Sequence, residues 1–230
     1  MPAALVVPSP LLGPLAYEPL ARALTRRGLD AGVAQLPSTP FTPDDVLDAV
    51  TDQADGCAVL VPHSNAGLYA PAVCGRAGCA ATVFVDAALP EGDGGTTRLA
   101  PAAFLGHVRS LVPPGDGLLP PWTRWWEAEE IRPLFPEGWF DRVDETAPRL
   151  TLDYFTATVP VPAGWESRPS AYLAFGGTYA EEQARATAYR WPLTVLDGHH
   201  LHLLTQPQAV ADAVVELAAR LGQAPSSPLT

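Results

Sequence analysis

Short apolar runs alternate with amphipathic stretches along the first ninety residues, a pattern that suits a parallel sheet flanked by helices. Ala4-Leu-Val-Val7 reads as a buried strand. Leu15 to Gly28 places Leu20 and Leu24 on one helical face and stops at Gly28. Gly32-Val-Ala-Gln-Leu36 reads as a second strand. Thr42-Pro-Asp-Asp45 opens a helix, because Thr42 can cap it, Pro43 suits its first turn and two acids complement its dipole; this helix is expected to run to about Ala54. Cys57 to Val61 is the third strand, Asn65 to about Arg76 the next helix, and Ala81 to Val85 the fourth strand.

From about Glu91 to Arg168 the alternation breaks and Pro and Trp accumulate, as in Leu119-Pro-Pro-Trp-Thr-Arg-Trp-Trp126 and Gly138-Trp-Phe140. It resumes with strand Ala171 to Phe175, helix Ala180 to about Tyr189, strand Leu193 to Leu196 and a last helix from about Pro207 to Leu221. The expected organisation is an α/β core over 1–90 and 169–222, an inserted Trp/Pro-rich helical cap over 91–168, and a disordered tail over 223–230.

With 230 residues, 47% of them hydrophobic, the chain can bury the core of one α/β domain. The net charge of −11, with no basic stripe, argues against nucleic-acid and anionic-membrane partners. The N-terminal apolar run lacks a basic flank and is too short for a signal peptide or a span, so the expected location is the cytoplasm. Cys57, Cys74 and Cys79 form neither an even set nor a zinc spacing, and buried free thiols are expected. No cofactor or metal is expected. The expected partner is a small-molecule substrate, with a homodimer as a candidate assembly.

The third strand runs directly into Pro62-His-Ser-Asn-Ala-Gly67 and then a helix, the context a nucleophile elbow requires. A serine on so sharp a turn is strained, and residues two before and two after it must be small; Pro62 and Ala66 stand there, with Gly67 one position later. The same letters also suit a serine capping a helix. After the last strand comes Leu196-Asp-Gly-His-His-Leu-His-Leu-Leu-Thr-Gln-Pro207.

Ser64 in its turn and the Gly198-His-His segment make the chain resemble the α/β-hydrolase superfamily, whose members carry a histidine after the final strand. The resemblance implies the α/β-hydrolase fold, a mostly parallel twisted sheet with helices on both faces, with Ser64 as nucleophile. Two registers compete for the base. Counting back from Pro207 selects His200, which is preferred; the Gly-His dipeptide selects His199. In most relatives the acid follows the penultimate strand, but Tyr179 stands there. A known alternative in the superfamily places the acid after the strand that follows the nucleophile helix, which here ends at Asp86. Glu181 and Glu182 are fallback acids, and Asp86 also reads as a turn or cap residue.

An oxyanion is usually met by two backbone N–H groups. The resemblance implies Asn65 for one and, from the loop Pro8-Ser-Pro-Leu-Leu-Gly13, Ser9, Leu11 or Leu12 for the other, with Leu11 taken. His63, Trp122, Trp125, Trp126 and Tyr179 are expected to line an apolar substrate pocket. The aromatics also suit the cap's own core, and since adjacent side chains diverge, at least one of Trp125 and Trp126 is expected to face the pocket or the body. The leading functional expectation is hydrolysis of a moderately apolar ester, thioester or lactone through Ser64, His200 and Asp86. The alternatives are a non-hydrolytic step such as cyclisation, elimination or C–C cleavage in small-molecule biosynthesis, and a binding protein without catalysis.

Overall fold

Alternation of side chains along each strand divides the core into two layers, one on each face of a single sheet. Leu5, Val7, Leu60 and Phe84 belong to one buried cluster, while Ala4, Val6, Val59, Val61 and Val85 belong to the other. This computed structural model describes residues 3–115 and 117–222; the tail 223–230 lies outside the described residues.

The chain begins β1 (Ala4–Val7), α1 (Glu18–Arg26), β2 (Ala31–Val33), α2 (Pro43–Ala54), β3 (Val59–Ser64), α3 (Ala70–Ala77) and β4 (Ala81–Ala87). β2 is shorter than its apolar pattern suggests, and β3 and β4 run further toward their carboxyl ends, into the residues that matter for the site. Thr42 caps α2 as expected: its side chain accepts from the Asp45 backbone N–H, while Asp45 reaches back to the Thr42 backbone.

The alternation then gives way to β5 (Thr96–Arg98), the short helices α4 (Ala102–Ser110), α5 (Ala128–Ile131), α6 (Trp139–Thr146) and α7 (Leu152–Thr156), and β6 (Thr158–Pro160). β5 and β6 pair antiparallel as a separate ribbon. The parallel pattern returns with β7 (Ser170–Phe175), α8 (Ala180–Ala188), β8 (Leu193–Leu196), α9 (His202–Thr205) and α10 (Pro207–Gly222).

The six-stranded sheet is parallel throughout, in the order β2-β1-β3-β4-β7-β8. Leu20 and Leu24 of α1 pack with Val210 and Val214 of α10 on one face; Val46 and Val50 of α2 pack with Val73 of α3 on the other. The chain reverses direction across the sheet between β1 and β3, and the loops leaving β1, β3, β4, β7 and β8 all emerge at one edge. Open α/β sheets bind ligands at that edge. Cys57, Cys74 and Cys79 are free and buried. Among the described residues no helix is long and apolar enough to cross a membrane.

Candidate active site

Ser64 ends β3 with φ 57° and ψ −130°, a strained conformation for a residue with a side chain. The turn it makes brings the next helix close to the loop after β4. Gly67 is what permits this: a Cβ there would sit 2.1 Å from the Ala88 carbonyl oxygen. The residue that must be smallest is therefore three after the serine, which accounts for the glycine standing one position beyond Ala66.

The Ser64 hydroxyl lies 3.1 Å from His200 Nε2, and His200 Nδ1 lies 2.7 Å from Asp86 Oδ2. A carboxylate only accepts, so Nδ1 carries the proton and Nε2 is left to receive the Ser64 hydrogen. Asp86, at 0% exposure, would be costly to bury alone. Its second oxygen accepts the Phe175 backbone N–H at 3.0 Å, so both carboxylate oxygens are engaged. The structure thus brings Ser64, His200 and Asp86 together.

His199 takes no part in this line. Its Nδ1 accepts the Leu201 N–H at 3.3 Å and its ring packs edge-on against His202. The glycine before it serves a different neighbour, since a Cβ at Gly198 would meet the His202 ring at 2.5 Å. The Gly-His dipeptide is thus explained by packing of His202.

His63 does not line the pocket, contrary to expectation. Alternation along β3 sends it to the face opposite the α2–α3 layer, where it is buried beside Tyr17, the residue before α1. There its Nε2 lies 3.0 Å from the His200 carbonyl oxygen and its Nδ1 lies 2.8 Å from the Tyr17 hydroxyl. A carbonyl only accepts, so Nε2 carries the hydrogen, Tyr17 donates to Nδ1, and Tyr17 in turn accepts the Ser9 N–H at 2.9 Å. Burial and the neighbouring His200 hold the His63 pKa well below its usual value, so the ring is neutral. His63 ties the loop after β1 to the loop that carries His200. Tyr17 had no role in the sequence reading, and Ser9 entered it only as a candidate oxyanion donor; the only signal was the position of His63 beside Ser64 on an alternating strand.

Of the N–H groups offered by the loop after β1, that of Ser9 goes to Tyr17 and that of Leu12 to the Ser9 carbonyl. Leu11 N–H has only a long contact of 3.4 Å to Ser9 Oγ, and Leu11 lines the same pocket as Ser64. On the other side, the Asn65 side chain donates to the Leu99 carbonyl at 2.8 Å and accepts from Tyr154 at 3.0 Å, which fixes the residue after the serine. Leu99 and Tyr154 come from the segment between β4 and β7, so that segment is bonded to the elbow itself.

Ser64 opens into a pocket of about 1260 Å³ whose walls include Leu11, Leu68, Phe104, Trp122, Trp126 and Tyr179. Trp122 and Trp126 line it as expected. Trp125 does not: it is buried against Phe104 and Phe155, and its ring N–H donates to the Pro120 carbonyl at 2.8 Å. Adjacent tryptophans point apart, one into the lumen and one into the wall. Tyr179 brings its hydroxyl to 3.4 Å from Ser64 Oγ. Glu181 and Glu182 also line the pocket, but neither reaches either histidine.

The polar atoms of His63, Asp86 and His200 lie within 4.8 Å of one another. Each is held by a hydrogen bond, and the 2.7 Å separation of His200 Nδ1 and Asp86 Oδ2 is that of an N–H donating to a carboxylate.

A model of the alpha/beta hydrolase family matches residues 5–213. The chain belongs to the alpha/beta hydrolase family. Among solved structures of this fold it is similar to an extracellular alpha/beta-hydrolase from a Paenibacillus species, with 16% identity, a TM-score of 0.70 and coverage of 93% of this chain and 97% of that one. A methylesterase from Arabidopsis matches with 13% identity and a TM-score of 0.69 over 94% of this family member and 99% of its own chain. A pyrethroid hydrolase matches with 18% identity and a TM-score of 0.67, covering 96% and 98%. No curated protein matches in sequence.

Proposed function

We propose that this protein is a serine hydrolase acting on a moderately apolar small-molecule ester, a class that includes thioesters and lactones. The observation that carries the reading is the unbroken line from Ser64 Oγ through His200 to Asp86, at 3.1 and 2.7 Å. Hydrolysis is also what the names of the methylesterase and the pyrethroid hydrolase describe.

In this reading His200 Nε2 takes the Ser64 proton as Oγ attacks the acyl carbon, and Asp86 stabilises the imidazolium without taking its proton. The N–H groups of Asn65 and Leu11 meet the oxyanion. His200 returns the proton to the leaving group, then activates water against the acyl-enzyme. His63 acts through His200, holding its backbone and the Leu11 loop in one frame. The segment 91–168 serves as a cap over the core, and its Trp122, Trp126 and Phe104 favour an apolar substrate.

Two observations favour hydrolysis over the non-hydrolytic alternative. The loosened elbow still holds Ser64 in a strained turn, and the displaced acid still meets the base. A panel of 4-nitrophenyl esters, thioesters and lactones tests the proposal. Turnover by the wild-type protein that Ser64→Ala abolishes supports it; absence of turnover across the panel overturns it.

A further inference from the structure

Tyr179 occupies the place in sequence where most relatives carry the acid, yet the structure gives it a different task. Its hydroxyl has one hydrogen-bond partner among the described residues, Ser64 Oγ at 3.4 Å. Ser64 has a single hydroxyl hydrogen, and that hydrogen points to His200 Nε2. Tyr179 is therefore the donor, and its bond to the resting nucleophile is a long and weak one.

A weak bond to the resting oxygen is readily exchanged for a stronger one to an oxygen that gains charge during reaction. The sheet order says which oxygen this is. β1, whose loop carries Leu11, lies on one side of β3, while β4 and β7 lie on the other. The phenol thus approaches Ser64 from the side away from the Leu11 donor, with its ring beside that of His200 at 5.7 Å between centroids. The oxygen on that side, next to the imidazolium, is the one that leaves.

We infer that Tyr179 is a catalytic residue whose hydroxyl donates a hydrogen bond to the leaving-group oxygen as the tetrahedral intermediate collapses. The inference rests on the hydrolase reading. As the bond from the acyl carbon to the leaving oxygen breaks, the electron pair passes to that oxygen, which takes the proton from His200 Nε2. Tyr179 keeps its own proton throughout. Burial pushes the Tyr179 phenol up to about 12, which favours the protonated, donating form. A carboxylate in the same place would be an acceptor and would repel the departing alkoxide.

The test is Tyr179→Phe, which removes one oxygen and keeps the ring, assayed by kcat/KM over acetate esters whose leaving groups run from 4-nitrophenol to simple alcohols. kcat/KM reports acylation alone. A hydrogen bond to the leaving oxygen matters most where that oxygen is most basic, so the loss is expected to grow from roughly threefold at 4-nitrophenyl to roughly a hundredfold at alkyl esters. The slope of log kcat/KM against leaving-group pKa steepens in the variant. A loss equal across the series, or none, overturns the inference while leaving the hydrolase reading intact. No turnover by the wild-type protein overturns both.

Discussion

β4 and β7 are hydrogen-bonded neighbours whose carboxyl ends face the same serine, and they carry opposite chemistry to it. β4 carries Asp86 one residue before its end, fully buried, with φ 39° and both oxygens occupied. β7 contributes no acid; the backbone N–H of Phe175, its last residue, supports the Asp86 carboxylate, and the loop beyond supplies the Tyr179 hydroxyl instead. What the acid needs is a site within reach of the far nitrogen of the base and a donor for its spare oxygen. Either strand can supply that site. With Asp86 on β4 meeting His200, the end of β7 is left to place the Tyr179 hydroxyl next to Ser64.

The comparison breaks completely if the shared target is removed. Ser64→Ala is expected to lower kcat/KM by roughly 10⁵-fold or more, with the thermal unfolding midpoint little changed. Next in size is the β4 side: Asp86→Asn is expected to cost roughly 10⁴-fold, since an amide can offer His200 Nδ1 the wrong partner and favour the wrong tautomer. A small effect of Asp86→Asn together with a large one of Glu181→Gln or Glu182→Gln would reverse the assignment of the two strands.

The geometry that lets β4 serve can be tested through packing alone. Gly67→Ala pushes a methyl group toward the Ala88 carbonyl, next to the strand end that carries Asp86, and is expected to cost about 2 kcal/mol of stability and part of the activity. Urea unfolding with a parallel ester assay measures both.

Acid titration sharpens the account of His63. Its folded pKa lies well below 6.5, so its contribution to stability is complete above about pH 6.5, where folded and unfolded chains are both neutral at this residue. As pH falls through 6.5 toward the folded value, the unfolded chain takes up a proton that the folded one refuses. Stability then declines, with a slope approaching about 1.4 kcal/mol per pH unit for this one group. His199 and His202, also lowered by burial, act in the same direction. Unfolding midpoints between pH 7 and 5 are expected to fall less steeply in His63→Gln than in the wild type.

The smallest effect belongs to the pocket wall on the β7 side. Burial raises the Glu182 carboxyl above its ordinary value, a contribution to stability that is lost as pH rises through the folded value. Glu182→Gln is therefore expected to leave ester turnover within about threefold and to improve stability more at pH 8 than at pH 5.

The parallel sheet was legible because each strand is an apolar run bounded by a turn, and the run of Ala4 to Val7 or Leu193 to Leu196 admits little else. Ser64, His200 and Asp86 were legible because each stands at the carboxyl end of such a run or soon after it. The rest depends on direction, which letters alone do not carry. His63 was read as a pocket residue, although alternation on β3 sends it to the opposite face. Trp125 and Trp126 differ only in which way a short irregular turn aims them. The links from Asn65 to Leu99 and Tyr154 join residues 34 and 89 positions apart, and no local pattern announces them.

The central claim is that Ser64 is a nucleophile activated by His200 and Asp86 across the end of the sheet. Its most direct test is stoichiometric reaction with a fluorophosphonate, followed by peptide mass spectrometry of the labelled protein. The account predicts one adduct per chain, located on Ser64, formed far more slowly in Asp86→Asn and absent in Ser64→Ala. Labelling at another residue, or labelling of Ser64 at the same rate in Asp86→Asn as in the wild type, would contradict it.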